Sequence, residues 1–581
     1  MEEKWVIAAK KADFNGIAAR FGIDPVIARI MVNRGLTDPE EMEIYLYGGR
    51  ENLHDPHLLR DADKAAEILE ADIRAGRRVR VIGDYDVDGI MATYILIKAL
   101  ARVGAEADYA LPDRVTDGYG LNERMIREAA ADGIDTILTC DNGISAAGPV
   151  RLAKDLGLTV IVTDHHEIPP EGIPAADAVV NPKRRDCAYP FEGLCGAAVA
   201  FKLAQVLYER EGVPAEEADT LIEYAGFATV VDVMDLIGEN RILVKLAIEM
   251  LRHTTNTGLL ALIREKNVRQ DRIGAYQIGF VLGPCLNASG RLQTAQLSLE
   301  LLLCEGETKA AALASELSHI NEARKEMTQE ALADALSVIE RQGYERDRVL
   351  VLFLPECHES LAGLVAGKVR EIYNRPVFVV TRGQDACKGS GRSIPAYSMY
   401  EEMTRCADLF LQFGGHPMAA GFSLREENLD ALRQRLNEQT TLTEEDLVPK
   451  VVLDADMPIG YITMDLIRQL DLLEPFGKGN AKPVFADRNL RITSLRTLGK
   501  EGNVIRMRLL GSDGTAMDAV YFGDVENLRL SLEQKYDILT AEDTICGKCA
   551  SQPALHFKYY PEIDDFQNQL KIQLKITGFQ A

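Results

Sequence analysis

A chain of 581 residues, 47% hydrophobic and 27% charged, is long enough for three to four domains and excludes wholesale disorder. Its net charge of −24 sets up a field that repels phosphates, so contact with nucleic acid would need a local basic stretch. Ten scattered cysteines point to reduced thiols, and without a membrane-length apolar run or a signal-peptide core a cytoplasmic location is expected.

Residues 1–45 read as a small helical lead-in. Val79, Val81 and Ile82 make a β-branched run that predicts a buried strand, and the stretch after Gly89 has apolar residues at helical spacing up to Gly104. Between them, "GDYDVDG" places Asp84, Asp86 and Asp88 on alternate positions of a strand-to-helix turn. Such turns often cradle a pyrophosphate, but these carboxylates would repel one. Either the loop is solvated and acidic, or a cation sits among the acids.

The alternation continues. "EADYALP" predicts a strand and "LNERMIREAAADG" a helix; "DTILTC" predicts a strand that ends at Asp141. "SAAGPVRLAKDLG" predicts a helix, and "TVIVT" a strand that ends at Asp164, His165 and His166. Strands alternating with helices imply an α/β fold with a parallel sheet, whose ligands bind beyond the carboxyl ends of the strands. Three acidic or histidine clusters therefore meet at one edge, where they would repel one another without cations. Oxygen ligands with one or two imidazoles suit manganese or magnesium, and two ions about 3.5–4 Å apart form the usual clamp for phosphoryl chemistry. Asp232 closes the apolar run "LIEYAGFATVVDVMDL" and is a further candidate ligand.

Between Glu307 and Gly343 a pattern without proline or internal glycine predicts one long helix. Its apolar positions are mainly alanine, which favours an intramolecular bridge over a coiled-coil dimer. "RVLVLFL" and "PVFVV" predict strands of a second α/β domain. The remainder reads as β structure. Lys478–Arg508 holds eight basic residues against Asp487 and Glu501. In "NVIRMRLL" the alternation puts Arg506 and Arg508 on one face. With Phe557 and Tyr559 as candidate stacking residues, this predicts a barrel that binds single strands. Cys546 and Cys549 form a lone "CGKC", and no second pair completes a zinc site.

Taken in order, "GDYDVDG", "TCDNGIS", "TDHHE" and "TVVDVMDLIGENR" resemble the four motifs of the DHH phosphoesterases. "LGPCLNASGRL", "HESLAGLVAGKV", "GSGRS", "FGGHPMAAGF" and "LEPFGKGNAKPVF" resemble the RecJ branch, with its DHHA1 domain and OB-fold. The resemblance implies a multidomain α/β chain. Its parts would be the lead-in (1–45), a parallel-sheet DHH catalytic domain (46–305), a bridging helix (306–342), an α/β DHHA1 domain (343–440) and a C-terminal OB-like β-barrel (441–581). The implied activity is a 5′-to-3′ exonuclease specific for single-stranded DNA, acting in repair and recombination through two divalent metal ions, Mn2+ or Mg2+. Asp86, Asp88, Asp141, His165 and Asp232 would ligate metal, Asp141 both ions. His166 would face the scissile phosphate, and Asp164 would orient its neighbours. Arg114, Asn287, Arg291, Ser390 and Arg392 would hold phosphates, and His416 would face the cleft. The superfamily places a histidine where this chain has Ile82, so Asp84, water or substrate oxygens would have to complete the first ion's shell. Single-stranded DNA would be the partner of a monomer, alongside a single-strand-binding protein and a helicase. The alternatives are a DHH phosphodiesterase acting on short oligonucleotides or cyclic dinucleotides, and a non-catalytic single-strand-binding scaffold.

Overall fold

The computed structural model describes residues 3–114, 117–118, 120–383, 385–499, 502–566 and 569–581; Lys500 and Glu501 of the basic stretch lie outside them. The chain forms two compact units, Leu53–Pro449 and the combination of Glu3–Asn52 with Lys450–Ala581.

In the first unit the alternating apolar runs form β1 (Arg78–Ile82), α1 (Val87–Arg102), β2 (Glu106–Ala110), α2 (Glu123–Ala131), β3 (Thr136–Cys140), α3 (Ala147–Asp155), β4 (Thr159–Thr163) and β5 (Ala178–Val180). The sheet has the order β2-β1-β3-β4-β5 and is parallel throughout. Every residue of β3 is buried, because helices cover both faces of a parallel sheet. Val79 and Val81 pack on the face covered by α1 and by α4 (Gly196–Arg210). Ile82 packs on the other, among Leu121, Met125 and Ile126. α5 (Ile222–Val231) is buried on every side from Ile222 to Thr229 and ends at Asp232, and α6 (Gly283–Leu292) carries the "NASGRL" motif.

The predicted long helix is α7 (Glu307–Gln342), closed by Gly343 at φ 68°. Its first half packs Ala310, Leu313, Ala314 and Leu317 into the core of the parallel-sheet layer. Its second half packs Ala331, Ala335 and Ile339 with Leu350, Val365 and Val377 of the next layer. Small side chains let one helix approach both cores, which makes it the expected intramolecular bridge. Beyond it lie β6 (Leu350–Phe353), α8 (Ala362–Tyr373), β7 (Val377–Arg382), β8 (Cys387–Arg392), β9 (Phe410–His416) and β10 (Ala419–Leu424), in a mixed sheet of order β9-β10-β8-β7-β6.

One buried pair in this unit yields a stability test. Lys202 Nζ lies 2.7 Å from Glu239 Oε1, both side chains are fully buried, and Tyr189 donates its hydroxyl to the other glutamate oxygen at 2.6 Å. Lys202→Met should destabilise the unit by about 3–5 kcal/mol in urea unfolding, because it strands a buried carboxylate.

The second unit is a barrel built from β11 (Phe485–Leu498), β12 (Val504–Leu510), β13 (Ala516–Phe522), β14 (Ala554–Phe566) and β15 (Gln569–Gln580), closed by the β11–β14 pairing. The lead-in does not stand alone. Lys4–Ile7 pairs in parallel with Lys450–Leu453, and Ile27, Ile30 and Met31 share a core with Phe485, Phe557 and Tyr559. Phe557 and Tyr559 are fully buried, and the Tyr559 hydroxyl donates to the Met457 carbonyl. They are core residues and cannot stack bases, which corrects the expectation from sequence; alternation marks two faces of a strand but does not say which one closes the barrel. Arg506 and Arg508 do lie on the exposed face of β12. Among the described residues, no helix is long and apolar enough to cross a membrane.

Candidate metal and phosphate site

The turn after β1 shapes the first part of the site. Asp86 caps α1, its carboxylate accepting the backbone N–H groups of Asp88 and Gly89 at 3.0 and 3.2 Å. A Cβ on Gly89 would fall 2.5 Å from the Asp84 nitrogen, so only glycine allows this turn. Asn287 of α6 accepts the Val87 N–H at 3.0 Å and pins the turn from the other side. Asp88 is buried and accepts the N–H groups of Gly196 and Ala197 at 2.6 and 2.8 Å. These open α4, whose dipole favours a carboxylate there.

The other elements complete it. Asp141 follows β3 with a left-handed φ of 59°. Asp164 follows β4; its Oδ1 accepts the backbone N–H groups of His165 and His166 and pairs with His166 Nδ1 at 2.8 Å, while its Oδ2 accepts the Ile144 N–H at 2.9 Å. His165 Nε2 lies 3.1 Å from Asp141, 3.6 Å from Asp88 and 3.8 Å from Asp232. Three sets of side chains bring ligand atoms within 4.8 Å of one another: Asp84, Asp86 and Asp141; Asp88, His165 and Asp232; and Asp141, His165 and His166. The third carboxylate near Asp86 and Asp141 thus comes from Asp84, while Ile82 serves the core.

Electrostatics shows what this arrangement lacks. Burial, then Asp88, Asp86, Asp84 and Asp232, holds the Asp141 carboxyl well above the usual carboxylate range. Burial and then Asp86 do the same to Asp84, and burial with Asp88 raises Asp86. Burial also lowers the pKa of His165. Burial pulls His166 down as well, but its bond to Asp164 and the charges of Asp164, Asp232 and Asp88 together outweigh this and bring it up to about 9. Asp164 stays below its ordinary value, since that same bond, the charges of His166 and His165 and the Ile144 N–H together overcome its burial. Asp84 Oδ1 and His165 Nδ1 are buried with no hydrogen-bond partner. Repelling carboxylates, a neutral imidazole and orphaned ligand atoms fit hard divalent cations.

Cations gather beside the acids. Arg114 lies 4.8 Å over the Tyr85 ring. Arg291 donates to the Ser360 carbonyl at 3.0 Å, just before α8. Burial, then Arg114 and Arg324, lowers its pKa to about 10. Arg392 donates to Ser390 Oγ at 3.1 Å, and a Cβ on Gly363, near the start of α8, would lie 2.8 Å from Arg392 and 2.9 Å from Ser390. Like charges drawn together and desolvated form a place for an anion. His416 is exposed at the end of β9 and acts electrostatically on Glu167, the residue after His166. The Asn287 carbonyl oxygen holds the motif turn. Arg506 and Arg508 belong to the barrel unit.

Reading the sequence alone missed the Gly196 and Ala197 N–H groups, Tyr85, and Arg324, whose Nε is buried with no hydrogen-bond partner. The run "CGAAVAF" was a usable signal, since small residues opening an apolar helix permit close approach.

Family models match three segments: the DHH family N-terminal domain over residues 78–227, the DHHA1 domain over 346–441 and the RecJ OB domain over 453–578. The single-stranded-DNA-specific exonuclease RecJ of Escherichia coli is 34% identical over 86% of this chain and 89% of its own length. The chain belongs to the RecJ family. The RecJ of Bacillus subtilis is also 34% identical, over 90% of this chain, which spans 66% of that relative. A crystal structure of Thermus thermophilus RecJ in complex with Mn2+ superposes with a TM-score of 0.82 at 28% identity, covering 100% of this chain and 79% of the other.

Proposed function

We propose that this protein is a metal-dependent exonuclease that hydrolyses single-stranded DNA from the 5′ end and releases 5′-mononucleotides. One observation carries the reading: six ligand residues from four separate segments converge at one sheet edge, in a chain whose RecJ-family relatives are named as single-stranded-DNA-specific exonucleases. Asp84, Asp86 and Asp141 would hold one divalent ion and Asp88, His165 and Asp232 the other, with Asp141 within reach of both. When bound, such ions supply Lewis-acid polarisation of the phosphate and activate water.

The chain's own groups do the rest. His166, oriented by its bond to Asp164, donates to a phosphate oxygen and stabilises charge developing there. Arg114, Arg291, Ser390 and Arg392 hold the terminal 5′ phosphate. A terminal monoester carries more charge than an internal diester, so a set of desolvated guanidiniums prefers the end of the strand to its middle. That preference sets the polarity. The enzyme works as a cytoplasmic monomer, beside a single-strand-binding protein and a helicase. The test is digestion of 5′- and 3′-labelled single strands with Mn2+, sizing the products over time. Label released first as 5′-mononucleotide supports the reading; initial release from the 3′ end, or internal cuts, overturns it.

The barrel face allows a finer prediction. Arg506 stands opposite Arg496 across β11–β12, a pairing of like charges that a phosphate would relieve. Arg508 is already paired with Asp518 at 2.7 Å. Arg506→Ala with Arg508→Ala should lower the salt-dependence slope of long-strand binding by roughly one to two units. Of the two single variants, Arg506→Ala should lose more, and titrations at several salt concentrations check both points.

A further inference from the structure

Two aromatic side chains in the first unit have no role so far. Tyr276 is 65% and Phe280 71% exposed, more than any other described Phe or Tyr of this unit. Their rings stack on each other, with centroids 5.2 Å apart and planes at 26°. An i, i+4 spacing places both on one helix face, and that face points to water. Leaving two stacked rings exposed forgoes the burial that would stabilise the fold, so the pair calls for an occupant.

Position indicates which. The pair sits on a helical segment whose middle, Ile278–Leu282, is a π-helix, a form frequent at functional sites. This segment packs on the last turn of α5. A Cβ on Gly279 would lie 3.4 Å from Val230, and one on Gly283 2.5 Å from Val231. The next residue is Asp232, and Val233 after it is a β-branched residue held at φ 56° and 60% exposed. In the other direction the segment runs straight into α6, which carries Asn287 and Arg291. At a rise of ~1.5 Å per residue, Phe280 lies roughly 10 Å along the axis from Asn287. One continuous helical segment therefore joins the aromatic pair to the motif turn and the phosphate-holding arginine, and packs beside the metal-site aspartate.

We infer that Tyr276 and Phe280 form a stacking platform for nucleobases of the incoming single strand, a few nucleotides from the end being cut. This rests on the exonuclease reading above. The π-faces of aromatic rings accept any base, so such a platform grips a strand without reading its sequence. It also selects against duplex, whose bases already stack on each other.

The test uses the full chain with Mn2+ and 5′-phosphorylated oligodeoxythymidylates that carry one abasic nucleotide at successive positions. Wild-type protein should show a raised KM at one or two adjacent positions. The double variant Tyr276→Ala, Phe280→Ala should raise KM for the intact strand on the order of tenfold, keep kcat, and lose sensitivity at those positions. Tyr276→Phe with Phe280→Trp should restore both. An unchanged KM together with an unchanged abasic profile overturns the platform, and would leave the patch to a protein partner. Wild-type protein that fails to degrade the intact strand removes the exonuclease reading itself, a result distinguishable from the first.

Discussion

Asp141→Asn should lower kcat at least about a thousandfold, the size of loss that follows removal of a central electrostatic group. Asparagine is the informative replacement. Residue 141 adopts φ 59°, which asparagine tolerates and alanine does not, so backbone strain is kept out of the comparison. A second readout separates lost chemistry from lost fold. Without metal, the wild-type carboxyl has its pKa raised by burial and by four neighbouring acids. A carboxyl raised in the folded state is most favourable when protonated. The metal-free protein therefore loses stability as pH climbs from the ordinary carboxylate range through that raised value. Asp141→Asn removes one of the repelling charges, so the metal-free variant should melt above metal-free wild type at neutral pH. Added Mn2+ should reverse the order, because ligand binding at a hundredfold excess over Kd stabilises wild type by about 2.7 kcal/mol. Thermal melts with and without Mn2+ check this. Turnover within tenfold of wild type, or no reversal, would refute the role assigned to Asp141.

Gly196→Ala is expected to be nearly as damaging, although it removes no functional side chain. The added Cβ would fall 2.5 Å from Asp141 Cβ and 2.8 Å from its Cα. Backbone cannot swing aside as the tip of a lysine can, so either Asp141 or the start of α4 must move. Each movement harms the site, because the Gly196 N–H also holds Asp88 at 2.6 Å. Displacing one metal-site aspartate while loosening another should weaken Mn2+ binding at least tenfold and cut turnover about a hundredfold, as loss of supporting contacts around metal ligands does. Overpacking of this kind costs about 1–3 kcal/mol, so the variant should still fold. Calorimetric titration with Mn2+ and the same activity assay decide it. Normal Mn2+ affinity in a folded Gly196→Ala protein would show that the approach of α4 to Asp141 is slack.

The sequence by itself determined the layered α/β fold, the long bridging helix and most of the acidic edge. These follow from local rules. β-branched runs make strands, helical spacing makes helices, and in a parallel sheet the chain must emerge from every strand at the same edge, so Asp84, Asp141 and His165 meet there whatever else the fold does. The number and order of the short motifs carried the family. Tertiary structure alone decided matters that depend on pairs remote in sequence. Phe557 and Tyr559 were candidates for stacking bases by residue type alone, and only closure of the barrel turned them inward. Nothing near Lys4–Ile7 announces a partner at Lys450–Leu453, because parallel pairing leaves no turn between the strands. Asp84 supplies the carboxylate that Ile82 cannot, and Gly196 guards Asp141, because helix packing brings separate loops within a few ångströms. Spacing along a chain cannot express such distances.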